Sequence, residues 1–310
     1  MTNKKRRHHY VWRKYLRAWS EDEKIFCLRD KKIFNPNLMG VAQKRDFYKL
    51  NELSREDISF INELVIRNSP KELVDGHENL LNNFSYVREL KELLSDISNT
   101  NDEETKHVID LYLHNYEEEL HSNAENVGGK YLDELLNGNT DFFSTTTGFS
   151  EFIFFLNVQY FRTKKIKESV VNAFALNQPL INMEGCWNVL SHIFATNAAH
   201  SFCLDREKYK LVLINNQSEL EFITSDQPVI NVFSLSIPKN QAPERCALYY
   251  PVSPKLAVLF IEKRYFEGEY ELTFDERSVR GHNDAIINSS LEQVFASDKL
   301  ILEEICFPSK

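Results

Sequence analysis

Most of the signatures that reveal a function are missing from this 310-residue chain. Its 5 cysteines, Cys27, Cys186, Cys203, Cys246 and Cys306, are dispersed, odd in number and free of CxxC or Cys/His zinc spacing. They read as reduced structural thiols, and neither a disulfide frame nor a zinc ribbon is implied. No Walker loop, GxGxxG, GxSxG or kinase signature is present. Internal repeats, collagen-like periods and extended low-complexity tracts are absent too. The charged N-terminus is not followed by an apolar core, and the run "FIFFL" at 152–156 is far too short to span a bilayer. A secretory leader is therefore not expected, and "EDE" at 21–23 interrupts any mitochondrial-type arm, so a cytoplasmic location without membrane contact is the expectation. Positive charge is also short overall. A net charge of −9 argues against a protein coated throughout in nucleic acid, while leaving room for a local basic surface.

A large apolar complement is present. With 42% hydrophobic and 12% aromatic residues, the chain has the material for a sizeable core. The opening "KKRRHHYVWRKYLRAWS" divides in two: Lys4 to Arg7 read as a flexible basic arm, whereas Val11, Trp12, Tyr15, Leu16 and Trp19 share one stripe of an amphipathic helix. "KIFCLRDKKIFN" reads as a β-hairpin turning at 29–31. From about Ser54 to Ala198 the pattern is helical, with breaks expected at "RNSPKE", "SNTNDEE", "NVGG" and "NGNTD". Within it the stripe Phe152, Phe155, Leu156 continues into Gln159, Arg162 and Thr163, carrying an amide and a guanidinium inward. After residue 200, "YKLVLIN", "LEFITS", "PVINVF", "ALYYPVS", "KLAVLFI" and "YELTF" read as strands of a mainly antiparallel sheet. A closing helix is expected over about Glu276 to Phe295, with Asn283 inward, and "KLILEEI" as a returning strand. The fold class is thus α+β: an N-terminal helix and short hairpin, a helical middle, a C-terminal mainly antiparallel sheet and a closing helix. No Pro/Gly linker separates the halves, so one domain over 1–310 is expected, mostly helical over 1–199 and β-rich over 200–310.

Four polar groups stand out. His8 and His9 offer imidazole chemistry, but adjacent histidines point apart and do not chelate, and anchoring of the first helix by hydrogen bonds is the competing role. Asp226 in "FITSDQPVI" sits where a strand ends, facing a cleft or closing its own turn. Arg162 and Gln159 suit an anionic ligand, or Arg162 forms an internal salt bridge to an acid of "YEEELH" at 116–121 or to Asp226. Asn283 on the closing helix needs partners for its amide, and a structural bond to a loop is the simpler use; Asn288 is less clearly inward. His107, His114 and His121 recur every seven residues and align on one helix face, but two turns separate them by about 10 Å, too far to share a metal. A solvated or packing face fits them better.

Taken together, "HHYVWRKYLRAWS", "QYFRT", "FITSDQPVI", "YYPVSPKLAVLF" and "HNDAIINSSLEQVFAS" resemble the bacterial family known as domain of unknown function 4238, over about His8 to Ser297. The resemblance implies that the family's marked polar positions fall on His9, Gln159, Arg162, Asp226 and Asn283. Trp12 stands where the family often has Pro, which implies a helix starting earlier and a differently oriented His9. Gln227 replaces a frequent Asn.

The expectation that follows is one polar pocket in which His9, Arg162 and Asp226 meet, supported by Gln159 and Asn283. Its expected chemistry is phosphodiester hydrolysis on RNA or DNA: His9 as general acid/base, Arg162 stabilising negative charge, and Asp226 orienting the histidine or holding a divalent metal such as Mg²⁺ or Mn²⁺. A bacterial defence or toxin-type effector would suit that activity by analogy. The alternatives are a protein that binds a nucleotide or phosphorylated ligand without turnover, and a purely structural network joining the helical and β regions.

Overall fold

The computed structural model describes residues 3–97, 102–175, 180–238, 241 and 243–306. Part of the expected break "SNTNDEE", at 98–101, lies outside the described residues.

The chain opens with strand β1 (Arg7–His9), then a short helix α1 (Arg13–Leu16) extended by one 3₁₀ turn to Trp19. The basic arm is not free: Lys4 pairs with Asp110 at 2.6 Å, Arg6 with Asp46, and the Lys5 amide donates to Asn115 Oδ1 at 2.8 Å. Opposite charge on the acidic chain captures it, and β1 gives it a backbone ladder. Nor does the helix start early. Trp12 is its N-cap with φ −62°, a value that proline itself adopts, so the substitution leaves the entry geometry intact. Of the expected stripe, Val11, Tyr15, Leu16 and Trp19 are buried, whereas Trp12 at the helix entry is only partly so. Two of its rings are also fixed at their polar tips: Tyr15 donates to the Pro251 carbonyl at 2.8 Å, and Trp19 Nε1 to the Phe222 carbonyl at 2.8 Å.

The hairpin is β2 (Phe26–Arg29) and β3 (Lys32–Phe34), its two turn residues Asp30 and Lys31 both at positive φ, as a tight hairpin of this length requires. Strand β4 (Gln43–Arg45) then pairs antiparallel with β1.

The helical middle comprises α2 (Arg55–Phe60), capped by a Ser54/Asp57 box, α3 (Lys71–Ser85), α4 (Val87–Ile97), α5 (Glu103–Leu136), α6 (Thr146–Phe161), α7 (Lys164–Ala175) and α8 (Met183–Leu204). The breaks at "RNSPKE" and "NGNTD" occur; Gly138 there takes φ +73°, ending α5 in a left-handed cap. "NVGG" is not a break. Helix α5 runs through it because a Cβ on Gly128 would collide with the Phe155 ring: the glycine serves close approach of α6 and not a turn.

The β-rich part contains β5 (Tyr209–Asn216), β6 (Thr224–Ser225), β7 (Ile230–Asn231), β8 (Ala247–Ser253), β9 (Leu256–Glu262), β10 (Glu271–Phe274), α9 (Glu276–Ser289), β11 (Val294–Ala296) and α10 (Lys299–Cys306). Five strands order as β10-β5-β9-β8-β7, antiparallel except for the parallel pair β10 and β5. Four more order as β3-β2-β11-β6, so the N-terminal hairpin is completed by two C-terminal strands. "KLILEEI" is helical, and the closing helix stops at Ser289 to let β11 form. "LEFITS" and "PVINVF" contribute only two ladder residues each. Among the described residues, no helix is long and apolar enough to cross a membrane.

The main apolar core draws Tyr10, Tyr15 and Leu16 against Phe152 and Phe155 of α6 and against Leu213, Tyr250 and Phe260 of the five-stranded sheet. A second packs α3, α5 and α8 around Leu81, Ile109, Trp187 and Ile193. Between these two cores lies a layer of buried polar side chains.

Candidate functional site in a buried polar layer

Helix α5 sets the layer. Along its 34 residues, Asp110, His114, Glu117, His121 and Glu125 follow one another at steps of three or four, which brings them to one face. Of the heptad histidines, His107 is exposed, whereas His114 and His121 are buried. His114 Nδ1 bonds the Asp110 carbonyl at 2.8 Å and His114 Nε2 lies 3.8 Å from Asp46.

Arg162 is the C-cap of α6, 3% exposed, where its charge also suits the negative end of the helix. It donates from Nη1 to Glu125 Oε1 at 2.5 Å, from Nη2 to the His9 carbonyl at 2.7 Å and from Nε to the Tyr48 hydroxyl at 3.2 Å. The expected internal salt bridge therefore exists, with an acid one turn beyond "YEEELH". Burial alone would lower the guanidinium pKa, but Tyr48, Glu125 and Glu118 more than offset it and the net shift is upward.

His8, not His9, is the anchoring histidine. It is fully buried, accepts from the Tyr48 amide at Nδ1 (2.7 Å) and bonds the Lys5 carbonyl through Nε2 (3.1 Å). His9 is only partly buried, yet its Nε2 is enclosed and has no hydrogen-bond partner. Burial, with smaller help from Arg13 and Arg162, lowers its pKa to about 4, so the ring is neutral at pH 7.

Asp226 does not join them. Its Oδ1 accepts from Leu291 N at 2.8 Å, and its Oδ2 from Glu292 N at 2.7 Å and Gln293 N at 3.0 Å. A carboxylate at a strand end facing three consecutive amides is filled by those donors, and it clasps the segment that leads from α9 to β11. The expected pocket uniting His9, Arg162 and Asp226 is therefore not formed. Asn283 likewise serves the backbone, accepting from Ile223 N at 3.1 Å and donating to the Glu221 carbonyl at 2.8 Å. Asn288 is exposed. Gln227 ties the same segment to the end of α6 through Thr163. Gln159, one turn before Arg162, is 2% exposed with Nε2 unpartnered.

The sequence reading missed the densest part of the layer. Glu117 and His121 on α5 face His192 on α8: Glu117 Oε1 lies 3.7 Å from His121 Nε2 and 3.8 Å from His192 Nε2. The two imidazole rings stand 4.8 Å apart, and Tyr48 covers His121 at 4.4 Å. Glu117 Oε2, Glu118 Oε2, both ring nitrogens of His121 and Nε2 of His192 are buried and have no hydrogen-bond partner. Ligand atoms of Glu117, His121 and His192 all fall within 4.8 Å of one another, so these are the residues able to hold a metal. Burial raises the pKa of Glu117 and lowers those of both histidines, with His192 reaching about 4. Glu117 and His121, four residues apart, were the available signal in the sequence; the third partner arrives from a different helix. A narrow crevice lined by Tyr48, Glu117, Arg162, Lys167, Asn188 and Ser191 borders the Glu117 side of this cluster.

A family described as protein of unknown function (DUF4238) matches residues 7–300 of the chain. No curated protein and no solved structure matches it.

Proposed function

The chain belongs to that family of unknown function, and we propose that it hydrolyses phosphodiesters, as a nuclease-like enzyme acting on RNA or DNA in the bacterial cytoplasm in a defence or toxin-type role. One observation supports this reading most: the neutral, unpartnered Nε2 of His9 belongs to the residue whose own carbonyl holds Arg162 at 2.7 Å. A proton acceptor and a permanent cation are thereby locked to each other by a backbone bond. Arg162 spends three of its N–H groups on protein partners, leaving two of the five it carries for a phosphoryl oxygen. In the reaction, His9 takes a proton from a water as its oxygen bonds to phosphorus. The ester P–O bond breaks, and the leaving oxygen takes up the proton from His9.

The test is a cleavage assay of the purified chain on single- and double-stranded RNA and DNA and on cyclic nucleotides. Wild type should cleave at least one class, and His9→Gln, with an unchanged melting curve, should lose roughly 100-fold or more. Equal activity in His9→Gln removes the histidine from the mechanism, and no cleavage of any substrate removes the reaction. Binding of a nucleotide without turnover would favour the phosphate-binding alternative.

A second reading is favoured by a different observation. The Thr163 hydroxyl donates to Gln227 Oε1 and Lys165 donates to the Ser289 carbonyl at 2.6 Å, so polar bonds beside Arg162 and Asp226 join the helical and β-rich parts as a structural junction. Under it Arg162→Ala and Asp226→Ala change stability alone.

A further inference from the structure

We infer that Glu117, His121 and His192 form a binding site for a divalent transition metal, a centre that shares no residue with the His9 and Arg162 pair but lies beside Arg162. Three features of the layer carry this. The first is distance. Around a tetrahedral ion with ligand bonds of about 2.1 Å, donor atoms stand about 3.4 Å apart. The Glu117 carboxylate oxygen lies 3.7 and 3.8 Å from the two imidazole nitrogens, too long for hydrogen bonds and a few tenths of an ångström wider than a shared ion would draw them.

The second is unmet hydrogen bonding at the imidazoles, although Glu117 also feels the Lys167 charge and the Asn188 side chain. Glu117 is 2% and His121 2% exposed, and neither ring nitrogen of His121 has a partner. A buried imidazole always carries at least one N–H, so leaving both nitrogens unpartnered costs free energy that a bound ion and a second-sphere contact would offset. The third is rigidity. Glu117 and His121 sit one turn apart on α5, and His192 comes from the middle of α8, so the donors are held by two helices instead of a loop.

The donor set also selects the ion. Two imidazoles and one carboxylate suit Zn²⁺, Mn²⁺ or Fe²⁺ and fit Mg²⁺ or Ca²⁺ poorly, since those prefer oxygen cages. Three protein donors leave one tetrahedral position for water or a ligand oxygen. Lys167, whose charge acts on Glu117, lines the same narrow crevice as that carboxylate.

The experiment measures metal directly. Full-length protein, purified without added metal or chelator, is analysed by inductively coupled plasma mass spectrometry. A chelator-stripped sample is titrated with Co²⁺ and followed by visible absorption. About one transition-metal ion per chain, with Co²⁺ d–d bands that disappear on adding Zn²⁺, is expected. His121→Gln and His192→Gln should each lose the ion and the bands. If the wild-type chain takes up neither Zn²⁺, Mn²⁺ nor Co²⁺ and its melting temperature is the same with and without them, the site does not exist. That result needs no variant to fold. Metal uptake without phosphodiester cleavage would sustain this inference while ending the hydrolase reading. Cleavage by a chain that takes up no metal would do the reverse.

Discussion

Arg162 donates at 2.7 Å to the carbonyl of His9, so the cation that closes α6 also fixes the end of the first strand, 153 residues earlier in the chain. The same guanidinium reaches Glu125 on α5 and Tyr48 in the segment between β4 and α2. Four segments meet on one buried charge.

Removing that charge should therefore be felt as stability. Arg162→Ala leaves Glu125 and the His9 carbonyl without a donor and should cost on the order of 3–5 kcal/mol, with Arg162→Lys in between because a single ammonium cannot reproduce three divergent bonds. Urea denaturation of both variants checks this. A wild-type midpoint for Arg162→Ala would contradict the junction.

The Asp226 clasp predicts a local effect. Asp226→Asn keeps the size but weakens acceptance from three amides, and it should cost about 1–3 kcal/mol. In native-state hydrogen exchange the amides of Leu291, Glu292 and Gln293 should lose protection ahead of the β5 and β9 amides, because only the former bond to this carboxylate. Uniform loss throughout the sheet would show that Asp226 does something else.

Gly128 predicts an exception to helix propensity. On an exposed helix Gly→Ala stabilises by about 1 kcal/mol, but here the added methyl meets the Phe155 ring. Gly128→Ala should instead destabilise by about 1–3 kcal/mol, and pairing it with Phe155→Leu should recover part of the loss. Thermal melts of the two single variants and the double variant give the coupling.

Acid should weaken the fold through His9. Its pKa falls from an ordinary value of about 6.5 unfolded to about 4 folded, so the folded state resists protonation. The contribution is complete above about pH 6.5 and is lost as pH falls from there to about 4, amounting to at most about 3 kcal/mol for this partly buried ring. Denaturant midpoints measured across that window should fall less steeply with acid in His9→Gln than in wild type. An identical slope would mean that His9 titrates normally.

These residues also show how far the sequence reaches. The stripe through Phe152, Phe155, Leu156, Gln159, Arg162 and Thr163 is buried as its helical spacing indicates, because that spacing is a local property of the chain. The β2 and β3 hairpin was readable for the same reason. Asp226 was rightly placed at a strand end, yet its partners, the amides at 291–293, are set by where α9 stops, which no local pattern encodes. "NVGG" looked like a loop because glycine carries two opposite meanings, a turn or a close approach, and only the neighbouring Phe155 decides between them. The metal-type cluster was missed for a related reason. Spacing along α5 correctly separates His114 from His121, but it says nothing of His192, which packing of α8 against α5 supplies. A sequence of 5 scattered cysteines directs attention away from metals, although imidazole and carboxylate suffice.

The most direct test of the polar layer as a functional centre is anomalous X-ray diffraction from crystals of the metal-loaded chain, collected on both sides of the zinc or manganese absorption edge. The structure predicts one anomalous peak within bonding distance, about 2.1 Å, of Glu117 Oε1, His121 Nε2 and His192 Nε2. Crystals grown with excess metal in which the three side chains keep this arrangement and no anomalous density lies between them would contradict it.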